Sequence, residues 1–120
     1  MNPENKKFLL EMINKFHVSV MTHDDAVTYY MILPDDRPLS ICAETTIFDP
    51  ENAIVHYTIT VDDDTLEEAI VDVADKRIDP IAQDIINIMK ACSTKIMMQE
   101  AHLSTNKYMS HFIPNKKTYS

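Results

Sequence analysis

The stretch that decides the fold is LSICAETTIFDPENAIVHYTITV, residues 39–61. Apolar and polar side chains alternate over residues 39–48 and again over residues 53–61. A period of two residues is typical of a strand with one covered and one solvated face. Between the two runs, Asp49-Pro50-Glu51-Asn52 supplies turn-forming residues. The stretch therefore predicts an antiparallel hairpin that presents Leu39, Ile41, Ala43, Ile47, Ala53, Val55, Tyr57, Ile59 and Val61 to the core.

Two more strands are predicted upstream of this hairpin. Residues 17–22 form the first and are followed by an Asp24-Asp25 turn, and residues 26–33 form the second and end at the turn-rich segment 34–38. Short connections favour neighbouring antiparallel strands, so residues 17–61 predict a four-stranded meander.

Helices are predicted on both sides of the meander. Asn2 before Pro3 is a start signal for a helix over residues 3–16, which carries an apolar stripe on one face. Residues 64–67 resemble a capping box and predict a second helix, in which Leu66, Ala69, Ile70 and Val73 fall at helical spacing. Asp79-Pro80 predicts a third helix that runs to about residue 100.

Together these elements predict an α+β fold in a single domain over residues 1–113. It has an N-terminal helix, a four-stranded antiparallel meander and two C-terminal helices packed on one face of the sheet as a two-layer sandwich. A short strand is expected at residues 107–113, and residues 114–120 are expected to be a flexible tail.

The 120 residues contain no glycine, although average usage of about 7% would supply roughly eight. Phosphate-binding loops, dinucleotide-binding loops, nucleophile elbows and EF-hand loops all require glycine, so these motifs are excluded. The turns must be made by Asp, Asn and Pro, which favour type I geometry. We therefore expect no tight two-residue type I′ hairpin.

Negative charge is concentrated in the middle of the chain, whose overall formal charge is −8. Residues 24–84 hold sixteen acids and three bases, a net charge of −13, whereas both ends are weakly basic. Phosphate neutralisation needs a basic face, so direct binding of nucleic acid or of an anionic membrane is disfavoured. The charge favours a partner protein with a basic surface.

The cysteines and histidines give little indication of catalysis. Cys42 and Cys92 are expected to be free thiols in the cytoplasm. Disulfide-stabilised secreted domains usually have more cysteines, and this sequence predicts neither a signal peptide nor a membrane span. His17 and His23 lie too far apart on one strand to share a metal ion, and we expect neither a metal nor a cofactor. A weaker alternative is a small hydrolase that uses Cys42 or the histidines. Cys42 could pair with a histidine such as His56, which is predicted on the outward face of the neighbouring strand.

The densest acidic cluster is Asp62, Asp63, Asp64, Glu67 and Glu68. Acids in the first turn of a helix satisfy free amides and the helix dipole, and this capping role would account for one or two of them. The alternative is a partner-binding role.

Three further residues are candidates for partner contact. Tyr29 and Tyr30 fall on opposite faces of the second strand, so one ring is expected on the open side, and Glu44 is predicted to point outward.

The leading hypothesis is a small acidic protein-binding module without enzymatic activity. It would occupy a basic nucleic-acid-binding surface of another protein, in the manner of phage-encoded inhibitors of host defence nucleases, and would then act in the host cytoplasm. The alternative is a homodimeric acidic chaperone or adaptor, in which the charge only maintains solubility.

Overall fold

The computed structural model describes residues 1–112 of the chain. It has an α+β fold with five strands and two helices. The elements are α1 (Pro3–Lys15), β1 (Ser19–Thr22), β2 (Ala26–Ile32), β3 (Pro38–Asp49), β4 (Asn52–Val61), β5 (Asp64–Asp72) and α2 (Pro80–Phe112). The strands form one antiparallel sheet in the order β1-β2-β3-β4-β5. The predicted class and meander are confirmed, but the prediction of four strands and three helices is wrong.

The error lies at residues 64–72, which form strand β5 and not a helix. Local signals are ambiguous here, since the apolar residues fit a helical period while Thr65, Ile70 and Val71 are β-branched and favour a strand. Pairing decides the outcome, because β5 lies antiparallel to β4 with Ala69 opposite Tyr57. That register turns Ala69 toward the core, where it is buried.

The hairpin between β4 and β5 contradicts a second expectation. Val61 pairs with Asp64, so the loop consists of Asp62 and Asp63 alone. Both have positive φ, 51° and 69°, which is the signature of a type I′ turn. Aspartate tolerates the left-handed region better than most residues, and this glycine-free chain uses it where glycine is usual.

The β2–β3 turn follows the same principle. The Asp36 N–H donates to Leu33 O and the Leu33 N–H donates to Arg37 O, both at 2.9 Å. Pro34 occupies the first central position of the turn, and Asp36 adopts the left-handed conformation with a φ of 66°. This is the three-residue hairpin loop in which glycine usually takes the last position.

Both helices begin where their start signals predict. Asn2 Oδ1 accepts the Glu4 N–H at 2.8 Å, and Asp79 Oδ1 accepts the Ile81 N–H at 2.9 Å. The second of these helices, α2, does not stop near residue 100 but continues to Phe112, because neither glycine nor proline interrupts it before Pro114. The strand expected at residues 107–113 is therefore not formed as far as residue 112; residue 113 and the expected tail, 114–120, lie outside the described residues.

The helices run parallel to each other. The Met1 amino group lies 3.1 Å from Asp84 Oδ2, so the N-terminal ends of the two helices are neighbours. Lys95 Nζ donates to Asn14 O at 2.8 Å, so the C-terminal end of α1 lies beside the middle of α2. The helix layer therefore consists of α1 and α2, and not of two C-terminal helices.

One hydrophobic core lies between the helix layer and the sheet. It excludes Ile47, which was predicted to face the core but is 72% exposed near the tip of the β3–β4 hairpin. The buried residues of this core are Leu9, Ile13, Val18, Met31, Leu33, Leu39, Ile41, Ile59, Ala69, Ala82, Ile85, Ile88 and Cys92.

Candidate protein-binding surface

One face of the sheet packs against the core, and the opposite face carries most of the side chains that the sequence predicted to point outward. Ile41 pairs with Ile59 on the helix side, and both are fully buried. Their neighbours Cys42 and Thr58 pair on the other side and are only half-buried. We call this second side the open face, and its residues include Thr28, Tyr30, Ser40, Cys42, Glu44, His56, Thr58, Thr60, Glu68 and Ile70.

The two adjacent tyrosines separate as predicted. Tyr30 pairs with Ser40 and lies on the open face, half-buried. Tyr29 pairs with Ile41 on the helix side and lines a cleft of about 370 Å³ with Tyr57 and Met89. Only Tyr30 is therefore placed to contact a partner that docks on the open face.

Glu44 and Glu68 flank a histidine on the open face. His56 pairs with Glu44 across β3 and β4, and its Nε2 lies 3.1 Å from Glu68 Oε1. His56 and Glu68 remain roughly half exposed, so water and a partner can reach both. Two carboxylates therefore lie beside one imidazole on this face, and because the His56–Glu68 pair is solvent-exposed it contributes little to stability.

Cys42 lies on the same face, but its sulfur has a different neighbour. The Thr28 Oγ1–H donates to Cys42 Sγ at 3.3 Å, while His56 is engaged with Glu68. The structure therefore does not bring together the cysteine and histidine of the hydrolase alternative as a hydrogen-bonded pair. Cys42 and Cys92 are both free, and they lie on opposite sides of the sheet.

The Asp62-Asp63 turn lies beside the β2–β3 turn. The Asp62 N–H donates to Pro38 O at 2.8 Å, which connects the two hairpins at one end of the sheet. The Arg37 Nε–H donates to Asp35 Oδ2 at 2.6 Å, and this bond lowers the pKa of Asp35. We call this end of the sheet, with its five aspartates and one arginine, the acidic end. Its aspartates are Asp35, Asp36, Asp62, Asp63 and Asp64.

The capping interpretation of the acidic cluster is wrong, because its residues lie in a hairpin turn and a strand. Glu67 pairs with Ile59 and lies on the helix side, whereas Glu68 pairs with Thr58 and lies on the open face. The cluster predicted from the sequence is thus divided among three surroundings. Asp62, Asp63 and Asp64 belong to the acidic end, Glu68 to the open face and Glu67 to the opposite side.

Sequence reasoning missed Asp35 and Asp36 as neighbours of the cluster. The predicted meander contained the signal, since the end of β4 and the β2–β3 turn fall at the same end of the sheet.

Two further properties bear on chemistry. Among residues 1–103, whose side chains the structure describes, no group of three or more His, Cys, Asp or Glu side chains is arranged to hold a metal ion. Within the same part of the chain, no helix is long and apolar enough to cross a membrane.

The chain matches no known protein-family model, no curated protein and no solved structure.

Proposed function

We propose that this chain is an acidic protein-binding module that occupies a basic, nucleic-acid-binding surface of another protein. The observation that carries the proposal is the acidic end, where two hairpin turns place five aspartates beside a single arginine that is already paired with Asp35. Carboxylates on hairpin turns at one end of a sheet are suited to accept hydrogen bonds from arginine and lysine side chains that otherwise bind phosphates.

The backbone at the acidic end also supports this proposal. Asp36, Asp62 and Asp63 adopt positive φ, where glycine has no steric penalty. An aspartate at such a position carries a conformational cost but adds a carboxylate to the surface. Three such positions place three carboxylates at one end of the sheet.

The open face extends the proposed contact surface. Glu44 and Glu68 contribute carboxylates, and Tyr30 contributes an aromatic ring of the kind enriched at interfaces. The proposed mechanism is electrostatic steering of the acidic end toward a basic partner, followed by docking of the open face. A nuclease of a host defence system is the partner class we propose, since its nucleic-acid groove is basic.

The test compares two variants that lose the same number of charges. In the first, Asp36, Asp62 and Asp63 are replaced by asparagine, which tolerates positive φ and keeps the turns. In the control, Asp24→Asn, Asp25→Asn and Glu51→Gln remove three acids from the turns at the opposite end of the sheet. The partner is a basic protein captured by the wild-type chain. Each chain is then tested for whether it prevents this partner from binding nucleic acid.

Wild type and the control are expected to inhibit, with an affinity that falls steeply with salt, whereas the acidic-end variant is expected to lose inhibition. Equal loss in both variants, or binding independent of salt, would contradict the proposed role of the acidic end.

A dimeric chaperone or adaptor is the second candidate, and one observation favours it. A groove of about 720 Å³ between α1 and α2 is lined by Leu10, Ile13, Ala91 and Met98, and Leu10 and Met98 are 41% and 64% exposed. An exposed apolar groove on a helix layer suits a self-complementary interface. Sedimentation equilibrium separates the candidates, since an adaptor of this type is dimeric and a Leu10→Lys variant would be monomeric.

A further inference from the structure

Strand β5 presents unused backbone groups at the edge of the sheet. Among residues 1–112 its only neighbouring strand is β4. The Val73 N–H donates to Ala53 O at 2.9 Å, and in an antiparallel ladder the residues that face the neighbouring strand alternate. Every second residue back from Val73 therefore directs its N–H and C=O groups toward β4. The N–H and C=O groups of Glu68 and Ile70 point the other way, away from β4 and in the plane of the sheet.

A groove adjoins this edge. It has a volume of about 530 Å³ and lies between Ile70–Asp72 of β5 and the connection 75–81 that leads into α2. Its apolar walls are accessible, since Ile70 is 60% exposed, Ile78 is 78% exposed and Ile81 is 36% exposed. A free strand edge beside apolar pockets is the arrangement that binds extended peptides by strand addition, in which the backbone supplies affinity and the pockets supply specificity.

The charge around the edge selects the occupant. Residues 64–79 contain six acids and two bases, and the Arg77 guanidinium is engaged by Asp75 at 2.8 Å. A second copy of β5 would bring the same acids against this edge, and like charges on paired strands are destabilising. A segment with lysine or arginine next to apolar residues would instead be attracted. The acids are Asp64, Glu67, Glu68, Asp72, Asp75 and Asp79.

We propose that the β5 edge and its groove bind an extended basic segment of a partner protein as a sixth strand. The segment pairs with the outward peptide groups of Glu68 and Ile70 and places apolar side chains against Ile78 and Ile81. This inference rests on the proposed function in one respect, the basic character of the partner. The acidic end contacts its folded surface, and the β5 edge binds its extended segment.

The test uses the full chain and a short peptide in which lysine and valine alternate, with both ends blocked. Chemical-shift mapping is expected to show changes at residues 68–72 and 78–81, and hydrogen exchange of the Ile70 amide is expected to slow. A peptide of the same sequence in which every backbone nitrogen is methylated has no backbone N–H on either edge, so it cannot pair as a strand. We expect it to bind at least about tenfold more weakly, as does a peptide with glutamate in place of lysine.

A matched pair of variants tests the edge from the side of the protein. Ile70→Pro removes an outward N–H without removing a bond to β4, which an edge strand tolerates. We expect it to weaken binding of the lysine–valine peptide at least about tenfold, while Ile70→Val keeps the affinity. If Ile70→Pro does not fold, the N-methylated peptide provides the same comparison on the wild-type chain.

Three results would overturn the proposal. They are shift changes outside the β5 edge, equal binding of the N-methylated peptide, and concentration-dependent protection of β5 without peptide, which would make a second copy the occupant. The proposed function fails separately. The Asp36, Asp62 and Asp63 asparagine variant would then still inhibit the partner, whereas edge binding predicts only that this variant keeps the peptide affinity within about threefold.

Discussion

The side-chain amide of Gln99 binds both polar groups of the Val18 backbone. Gln99 Oε1 accepts the Val18 N–H and Gln99 Nε2 donates to Val18 O, each at 2.8 Å. Val18 is 1% exposed and lies in the connection between α1 and β1, where no strand partner satisfies these groups. One side chain on α2 thereby fixes the position at which the helix layer passes into the sheet.

Replacing Gln99 should therefore be costly. We expect Gln99→Ala to lower the free energy of unfolding by about 2 kcal/mol, because it removes two hydrogen bonds and leaves two partly buried backbone groups unpaired. Urea denaturation followed by circular dichroism measures this change. Gln83→Ala, on the same helix but with its amide bonded only to Asn87 in the exposed layer, serves as control and should change stability by less than about 0.5 kcal/mol. Equal effects of the two substitutions would contradict the proposed role of Gln99.

The Asp62-Asp63 turn predicts a substitution that stabilises the protein. Asp63 has a φ of 69°, so Asp63→Gly removes a steric cost that exceeds the entropy that glycine adds to the unfolded chain. We expect a gain of about 0.5–1 kcal/mol in the free energy of unfolding. Asp63→Ala is the matched control, since it removes the same carboxylate but has no local hydrogen bond to favour the left-handed region, and it should destabilise the turn. A loss of stability in the glycine variant would show that the carboxylate itself stabilises the hairpin.

The helix starts were predictable because their signals are local. Asn2-Pro3 and Asp79-Pro80 each place a side-chain acceptor before a residue with fixed φ, and both signals coincide with a helix start. The β3–β4 hairpin was predictable for the same reason, since its alternation and its turn lie in one continuous stretch. Strand β5 was not, because residues 64–72 satisfy either period and only the open edge of β4 decides between them.

The same dependence on topology limited prediction of the candidate surface. Charge density identified Asp62, Asp63 and Asp64 but did not group them with the β2–β3 turn, to which the bond between Asp62 N and Pro38 O joins them. The separation of Glu67 from Glu68 could be seen only once these residues were known to lie on a strand, where neighbours point to opposite faces.

Asp84 should make stability depend on acid pH. Its carboxylate binds the Met1 amino group at 3.1 Å and Lys6 Nζ at 3.4 Å, and these bonds, the amino group first, lower its pKa from the ordinary value of 3.8. A pKa that is lower in the folded state stabilises the fold above the unfolded pKa, and this contribution is lost as the pH falls through the folded value.

We therefore expect the melting temperature of wild type to fall more steeply below about pH 4 than that of Asp84→Asn, while the variant is less stable at neutral pH. Glu100→Gln, which removes an exposed acid farther along α2, is the control for the loss of one negative charge. Parallel pH profiles for wild type and Asp84→Asn would remove the proposed linkage.

The two thiols should differ in reactivity. Burial raises the pKa of Cys92 from 9.0 to about 12, and the side chain is fully enclosed in the core, whereas Cys42 lies half-buried on the open face. Since the thiolate is the reactive form, we expect a maleimide at about pH 8 to label Cys42 in the native protein and both cysteines in denaturant. Mass spectrometry counts the labels, and Cys42→Ser should leave the native chain unlabelled. Rapid labelling of the native Cys42→Ser variant would show that α2 opens from the sheet on the labelling timescale and that Cys92 is not a permanent part of the core.

The burial of Cys92 should also make stability depend on alkaline pH. Its raised pKa favours the neutral thiol in the folded state, so the free energy of unfolding should decline as the pH rises above 9.0, where the unfolded thiol ionises first.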